Sequence, residues 1–443
     1  MNFKKQFFTL SLLFLVIFGF AQSNKIDFIE YDLNNGLHVI LHKDITTPIV
    51  AVTVTYHVGS KNERPDRTGF AHFFEHLMFE GTKNIARGEY SQIVEKAGGT
   101  LNANTTNDRT YYYEILPSNQ LELGLWLESE RMLHAKVDSL GIKTQKNVVI
   151  EEYKQNYANR PYGGILIETV KRAYTVHPYQ WTTIGDPEHV RAAKDEEFLN
   201  FYKMFYVPNN AVLCIAGDID IEKTKSLVNK YYGDIPKGEY EIYRPNLVEP
   251  IKNMEIRDTI YDNIQLPAVL QAYHLPKMGT PDYYAVDMLA NLLSSGQSSR
   301  LYKSLVDEKQ LALFAASFPL PFEDPSIALT YCFPNVGVDP SVLEKAMNEE
   351  IAVVKTELIT DEELQKVKNQ FENQIVNSNK SIQSRAYNLA INYTFFKNTN
   401  LINTEIDKYL SVTKEDIKRV ANTYFRDDNR VVLYYLPKPQ QNN

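Results

Sequence analysis

The stretch "AHFFEH", residues 71–76, sets His72, Glu75 and His76 beside Phe70, Phe73 and Phe74. Imidazole and carboxylate groups are costly next to so much apolar surface unless something satisfies them. On a helix, positions 72, 75 and 76 lie three or four residues apart and share one face. Two imidazoles at i and i+4 can grip one metal ion, and the glutamate beside them reaches a water on that ion. The pattern H-x-x-E-H is the inverted order of the H-E-x-x-H zinc motif. The plainer alternative is an amphipathic helix whose histidines and glutamate face solvent. The rest of the chain weighs against it.

A catalytic zinc takes three protein ligands and one water, so a third ligand is needed. "NVVIEEY", residues 147–153, offers Glu151 and Glu152. On a helix Glu152 shares a side with Val148 and Val149 and is expected to face inward, whereas Glu151 neighbours Asn147, Lys154 and Gln155. Periodicity favours Glu152 and leaves Glu151 open.

The chain has 443 residues, which suits two domains better than one. Its composition, 44% hydrophobic and 23% charged, is that of a folded protein with a large core. A formal net charge of −8, with no long run of Lys and Arg, excludes a basic field for nucleic acid. Residues 1–21 pair Lys4 and Lys5 with an apolar run from Phe7 to Phe20 and small residues Gly19 and Ala21. That order predicts a secretory signal peptide cleaved after Ala21. The run is shorter than the ~20 residues of a spanning helix, and no later segment could span a bilayer. The mature chain is expected to be soluble and exported, with a bacterial periplasm as its compartment. Cys214 and Cys332 sit in apolar, strand-like contexts and read as small core residues, although an oxidising compartment would permit a disulfide.

Runs such as "HVILHK", "VAVTVTYHVG" and "TYYYEILP" read as strands, and "NQLELGLWLESERMLHA" and "SLGIKTQKNVVIEEYKQNY" read as helices. The mixture predicts an α+β fold of mainly antiparallel sheets covered by helices. Pro236, Pro245 and Pro250 mark a seam between two halves, 22–240 and 241–443. The halves end alike: "DEEFLNFYKMFYVPNNAVLCIAGDI" and "TKEDIKRVANTYFRDDNRVVLYYLP" each run helix, aromatic pair, Asn, apolar strand. The pattern suggests duplication of one unit of about 200 residues.

At these residues the sequence resembles the pitrilysin/insulinase zinc peptidases, over nearly all of the mature chain. "VGSKNERPDRTGFAHFFEHLMFEGT" (58–82) resembles the family's zinc helix and its approach. "GGTLNANTTNDRTYYYEILP" (98–117) resembles its substrate-binding edge strand, and "NVVIEEY" matches the segment of its distal ligand, the match falling on Glu152. "YVPNNAVLCIAGDID" and "SSRLYKSL" are weaker matches that stand in the right order. The resemblance implies two homologous α/β domains forming half of a clamshell. It implies one Zn2+ per chain held by His72, His76 and Glu152, with Glu75 as general base of a metalloendopeptidase. A peptide substrate would add to the edge strand by β-augmentation, touching Asn102 and Ala103. The plainer alternative for "TLNANTT" is an ordinary polar edge. Gln145 stands where relatives often have another acidic residue, which removes a helper carboxylate there.

One part of the family pattern is missing. Active members close an arginine and a tyrosine over the peptide from the C-terminal half. In the matching stretch, "LVDEKQLAL" (305–313), Val306 and Leu313 stand in their places, and Phe314 next door has no hydroxyl. Arg300 and Tyr302 lie near in sequence but fit another part of the pattern. Short relatives pair, so the expected assembly is a heterodimer with a related chain supplying the arginine–tyrosine clamp, or otherwise a homodimer. The competing readings are a non-catalytic assembly subunit and an accessory peptide-binding subunit. A scaffold has no need of all four groups His72, Glu75, His76 and Glu152.

Overall fold

A computed structural model describes residues 25–439. The signal peptide expected over residues 1–21 lies outside the described residues. The strands are β1 (Ile29–Asp32), β2 (His38–Lys43), β3 (Ile49–Tyr56), β4 (Thr100–Thr105), β5 (Thr110–Pro117), β6 (Ala211–Gly217), β7 (Ile256–Asp262), β8 (Ala268–His274), β9 (Ala312–Leu320), β10 (Ile327–Pro334) and β11 (Arg430–Pro437). They form two sheets, ordered β1-β2-β6-β3-β5-β4 and β7-β11-β8-β10-β9. Apart from β1, the second sheet repeats the first strand for strand. Each is antiparallel except for one parallel pair, β2 with β6 and β7 with β11. No helix among the described residues is long and apolar enough to cross a membrane.

The repeated chain ends build matching corners. Asn210 Nδ2 donates to Phe205 O at 2.8 Å just before β6, and Asn429 Nδ2 donates to Tyr424 O at 2.7 Å just before β11. In each case a buried amide ties off the end of a helix and aims the chain into its sheet.

Strands β3 and β6 read "IVAVTVTY" and "AVLCIAG" and are buried along nearly their whole length. Continuous apolar runs of this kind need cover on both faces. One face, with Val50, Val52, Val54 and Leu213, lies in the core that also buries Leu125 of the helix Leu121–His134 and Phe74. The other face, with Ala51, Val212, Cys214 and Ala216, packs against Ile382, Ala386, Leu389 and Ala390 of the helix Ile382–Phe396. That helix comes from the second half of the chain. The exchange is mutual: Val170 and Ala173 of the helix Ile165–Ala173, with Tyr174 and Tyr179, pack on Leu270, Ala272, Val431 and Leu433 of the second sheet. Cys214 and Cys332 are buried and free, in separate sheets.

Candidate metal centre

Helix α1 (Phe70–Leu77) answers the question its sequence raises. Phe70, Phe73, Phe74 and Leu77 repeat at i, i+3, i+4 and i+7 and are buried. Phe70 stacks on Phe198 at 4.6 Å and Phe74 on Phe201 at 5.4 Å between ring centroids. His72, Glu75 and His76 take the opposite side and are half-buried. The helix starts at Gly69, whose φ of +89° places it in the left-handed region, and a Cβ there would meet Ile184 O at 2.8 Å. Gly69 has no side chain to cap the helix. Glu63 does so from the preceding loop: its two carboxylate oxygens accept from Gly69 N at 2.9 Å and Ala71 N at 2.8 Å.

The helix Ser139–Tyr153 brings Glu152 to α1. Glu152 Oε2 lies 3.2 Å from His76 Nε2, and Glu152 Oε1 lies 3.7 Å from His72 Nε2. Adjacent ligand atoms around a tetrahedral zinc with bonds of ~2.0–2.1 Å stand about 3.3 Å apart, so this spacing suits one ion. The ligand atoms of His72, His76 and Glu152 all lie within 4.8 Å of one another, the one such grouping among the described residues. Glu151 turns away to solvent and pairs with Lys154 at 3.3 Å. Val149 is buried but Val148 is 43% exposed, so the inward side of this helix is set by Val149 and Glu152.

The electrostatics fit a cation. Burial first, then His76, pushes His72 down to about 4, so its ring is neutral. A neutral ring 3.7 Å from the carboxylate makes no hydrogen bond with it, and His72 Nδ1 is buried without a partner. The bond with His76 holds the Glu152 carboxyl below its usual range. Two ring nitrogens and a carboxylate thus converge on one point, and among the described residues no lysine or arginine pairs with Glu152.

Glu75 does not join that set. Thr105 Oγ1, from β4, donates to Glu75 Oε2 at 2.7 Å. Burial raises the Glu75 carboxyl against the pull of Thr105 and His76. Tyr112 OH, from β5, donates to Phe74 O at 3.1 Å and fixes the backbone just ahead of Glu75. Thr105, Tyr112 and Glu63 were not among the residues the sequence singled out. Thr105 had a signal, because it follows Ala103 by two positions and so shares its side of the strand.

β4 is the free edge of the first sheet. Ala103 is buried on the α1 side, whereas Asn102 is exposed and its Oδ1 accepts from Ala103 N at 2.8 Å. Gln145 donates to Glu80 Oε1 at 2.6 Å, and Glu80 is also bound by Arg87. In the second half, Val306 packs on the core and Leu313 is 48% exposed on β9. Arg300 is held by Glu363 through two bonds of 2.8 Å, Nε to Oε1 and Nη2 to Oε2.

The sequence model described as Insulinase (Peptidase family M16) matches residues 38–183, and that described as Peptidase M16 inactive domain matches residues 193–371. "Zinc protease PqqE" of Helicobacter pylori is 31% identical over 98% of this chain and 99% of its own. The chain belongs to the M16 peptidase family. A second relative, "Uncharacterized zinc protease YmxG" of Bacillus subtilis, is 25% identical over 91% of this chain and 97% of its own. The crystal structure of a protease from Helicobacter pylori superposes with a TM-score of 0.88 at 29% identity, covering 93% of this chain and 100% of that one. The periplasmic protease PqqL from Escherichia coli shares the fold at a TM-score of 0.77 and 18% identity, 94% of this chain matching 48% of that longer one.

Proposed function

We propose that this chain is the zinc-bearing subunit of an exported endopeptidase that cuts peptides or unfolded protein segments. The observation that carries the reading is the convergence of His72, His76 and Glu152 on one point, with Glu75 beside it but outside the ligand set. In this reading residues 1–21 are a signal peptide, 22–240 the zinc-binding domain and 241–443 a second domain of similar fold. The names of relatives as zinc proteases support the metal and the chemistry.

His72 Nε2, His76 Nε2 and a Glu152 oxygen would hold one Zn2+. When bound, zinc supplies Lewis acidity toward the scissile carbonyl and lowers the pKa of water toward neutrality. The peptide lies along the free edge of β4 at Asn102 and Ala103, held by hydrogen bonds to the outward backbone groups of Ala103 and its i±2 neighbours, with little demand on its sequence. Glu75 accepts the proton of the attacking water and delivers it to the departing amine nitrogen.

The test combines zinc analysis with peptide turnover in the parent protein and Glu75→Gln. The expected outcome is one zinc per chain in both and turnover only in the parent. Unchanged turnover in Glu75→Gln overturns the mechanism. An accessory, non-cutting subunit is the second reading, favoured by Val306 and Leu313 at the clamp positions. A zinc-loaded parent that binds peptide and never cuts it, alone or with a sister chain, would establish that role.

A further inference from the structure

The hairpin joining β4 and β5 closes with Thr106 N–H donating to Arg109 O at 2.8 Å. The register then runs through Thr105↔Thr110, Asn104↔Tyr111, Ala103↔Tyr112 and Asn102↔Tyr113. Residue pairs in an antiparallel ladder alternate between those that exchange hydrogen bonds and those that do not. Since residues 106 and 109 form a bonded pair, 104 with 111 and 102 with 113 are bonded too. The N–H and C=O groups of Leu101, Ala103 and Thr105 therefore point away from β5, along the free edge. The Ala103 N–H bond to the Asn102 side chain agrees with that direction.

Side chains alternate with the same period. Leu101 and Ala103 pack into the core beneath α1, and Thr105 Oγ1 reaches Glu75. Asn102 and Asn104 are exposed on the opposite face. Thr105 is thus the residue that offers its backbone to the free edge and its hydroxyl to Glu75.

We propose that Thr105 is a positioning residue that couples docking of a peptide on β4 to the orientation of the Glu75 carboxylate. The proposal rests on the peptidase reading above. A bond from Thr105 to Oε2 stops rotation of the carboxylate and leaves Oε1 as the oxygen free to take a proton. A hydroxyl on a carboxylate is among the stronger hydrogen bonds, and β-branching leaves Thr105 few rotamers. The strand end is fastened from behind: Arg109 Nη1 donates to Asn104 O at 2.8 Å, and Arg109 Nη2 donates to Tyr387 OH at 2.9 Å on the helix Ile382–Phe396. A peptide pairing with the Thr105 N–H and C=O stiffens the residue that holds the base. Small errors in such placement cost large factors in rate.

The experiment compares the zinc-loaded parent, Thr105→Val, Thr105→Ser and Glu75→Gln, each with any partner chain that turnover requires. It measures zinc content, kcat and KM on a quenched fluorescent peptide, and peptide affinity by anisotropy. Valine keeps the branched shape and strand preference and removes only the hydroxyl; serine keeps the hydroxyl. Thr105→Val is expected to lower kcat by ~10- to 100-fold, the loss of one hydrogen bond to a charged group. Its KM, zinc content and peptide affinity stay near the parent's, and Thr105→Ser recovers most of the loss. Turnover abolished in Glu75→Gln but unchanged in Thr105→Val overturns the coupling alone. So does a loss in Thr105→Ser equal to that in valine, or a loss carried by KM. Turnover that survives in Glu75→Gln overturns the reading and this proposal together.

Discussion

Lys61 Nζ lies 3.1 Å from Asp324 Oδ2, joining the approach to α1 in the first half to the β9–β10 loop in the second. The same ammonium lies 3.0 Å from Asp108 Oδ1 and 2.5 Å from Glu323 Oε2, and it is 4% exposed. His57 Nε2 adds a contact of 2.8 Å to Glu323, and Tyr179 OH donates to Asp108 Oδ1 at 2.5 Å. The halves are therefore locked by one buried cation set among three carboxylates. Removing such a partner leaves buried charge uncompensated and costs ~3–5 kcal/mol. Lys61→Met is expected to lose about that much in a denaturant titration; an unchanged midpoint would show that the lock carries no weight.

The lock also fixes an acid limit. Burial works against ionisation of Glu323, but the His57 bond and Lys61 outweigh it and bring the carboxyl down to about 2. Asp324 likewise falls to about 2, through His177 and Lys61 against burial. A carboxyl depressed in the fold stabilises above its unfolded pKa, ~4, and that contribution disappears as the pH drops toward the folded value. Burial lowers His57, so the unfolded chain takes up that proton first and stability already declines below its unfolded pKa of ~6.5. The gap in thermal midpoint between the parent and Lys61→Met should therefore narrow as the pH falls from about 4 toward 2, because the depressed carboxyls of Glu323 and Asp324 lose their contribution there. A gap that stays constant or widens on acidification contradicts the assignment.

The sequence made the helix α1 legible because His72 and His76 lie four residues apart and its apolar residues keep a strict helical period. The duplicated architecture was legible too, from helix–Asn–strand endings that now map onto Asn210 and Asn429. What stayed hidden depends on contacts between distant segments. Nothing local in "IQSRAYNLAINYTFF" says that it covers a sheet of the other half. Arg131, in the stretch "SERM", looks like a surface charge; it is 1% exposed and stacked on Phe79, Tyr90 and Tyr112 at 4.4–4.6 Å. Glu63 lies in the approach to α1 in a loop's sequence context, and only the fold shows it capping that helix.

That cap makes a second site of stability. Burial pushes the Glu63 carboxyl up to about 8 against the amide donors of Ala71 and Gly69. Glu63→Ala removes both acceptors and leaves the start of α1 open, at a cost of about 1–3 kcal/mol. Zinc affinity should weaken with it, because His72 sits in the first turn. Differential scanning calorimetry and competition with a chelating dye would measure the two effects, and a variant with parental values in both removes the cap from the argument.

The choice between adjacent glutamates is decided by one comparison. Glu152 faces the histidines, whereas Glu151 is paired with Lys154 in solvent. Glu151→Ala should keep its zinc through dialysis, and Glu152→Ala should lose it, together with turnover. The reverse pattern places the ligand one residue earlier than proposed.

No hydrogen-bond donor side chain stands at the clamp positions, since Val306 packs on the core and Leu313 is an exposed aliphatic group. Arg300 offers no substitute from where it stands, because Glu363 already takes it at both Nε and Nη2. Loss of one donor to a developing oxyanion typically costs ~10²–10³ in rate. A homodimer would duplicate the zinc and still lack the clamp. The longer PqqL chain, of which this one matches 48%, shows that the fold also occurs in chains about twice this length. A sister chain without H-x-x-E-H but with the arginine and tyrosine would complete such an assembly here. The purified chain alone is expected to turn over peptide weakly, and mixing with that sister should raise kcat by about the factor a missing oxyanion donor costs. Replacing the sister's arginine or tyrosine should cancel the gain while the two chains still co-elute on a sizing column. Full turnover by the isolated chain, indifferent to the sister, would mean that this chain builds its own oxyanion site from groups other than Arg300.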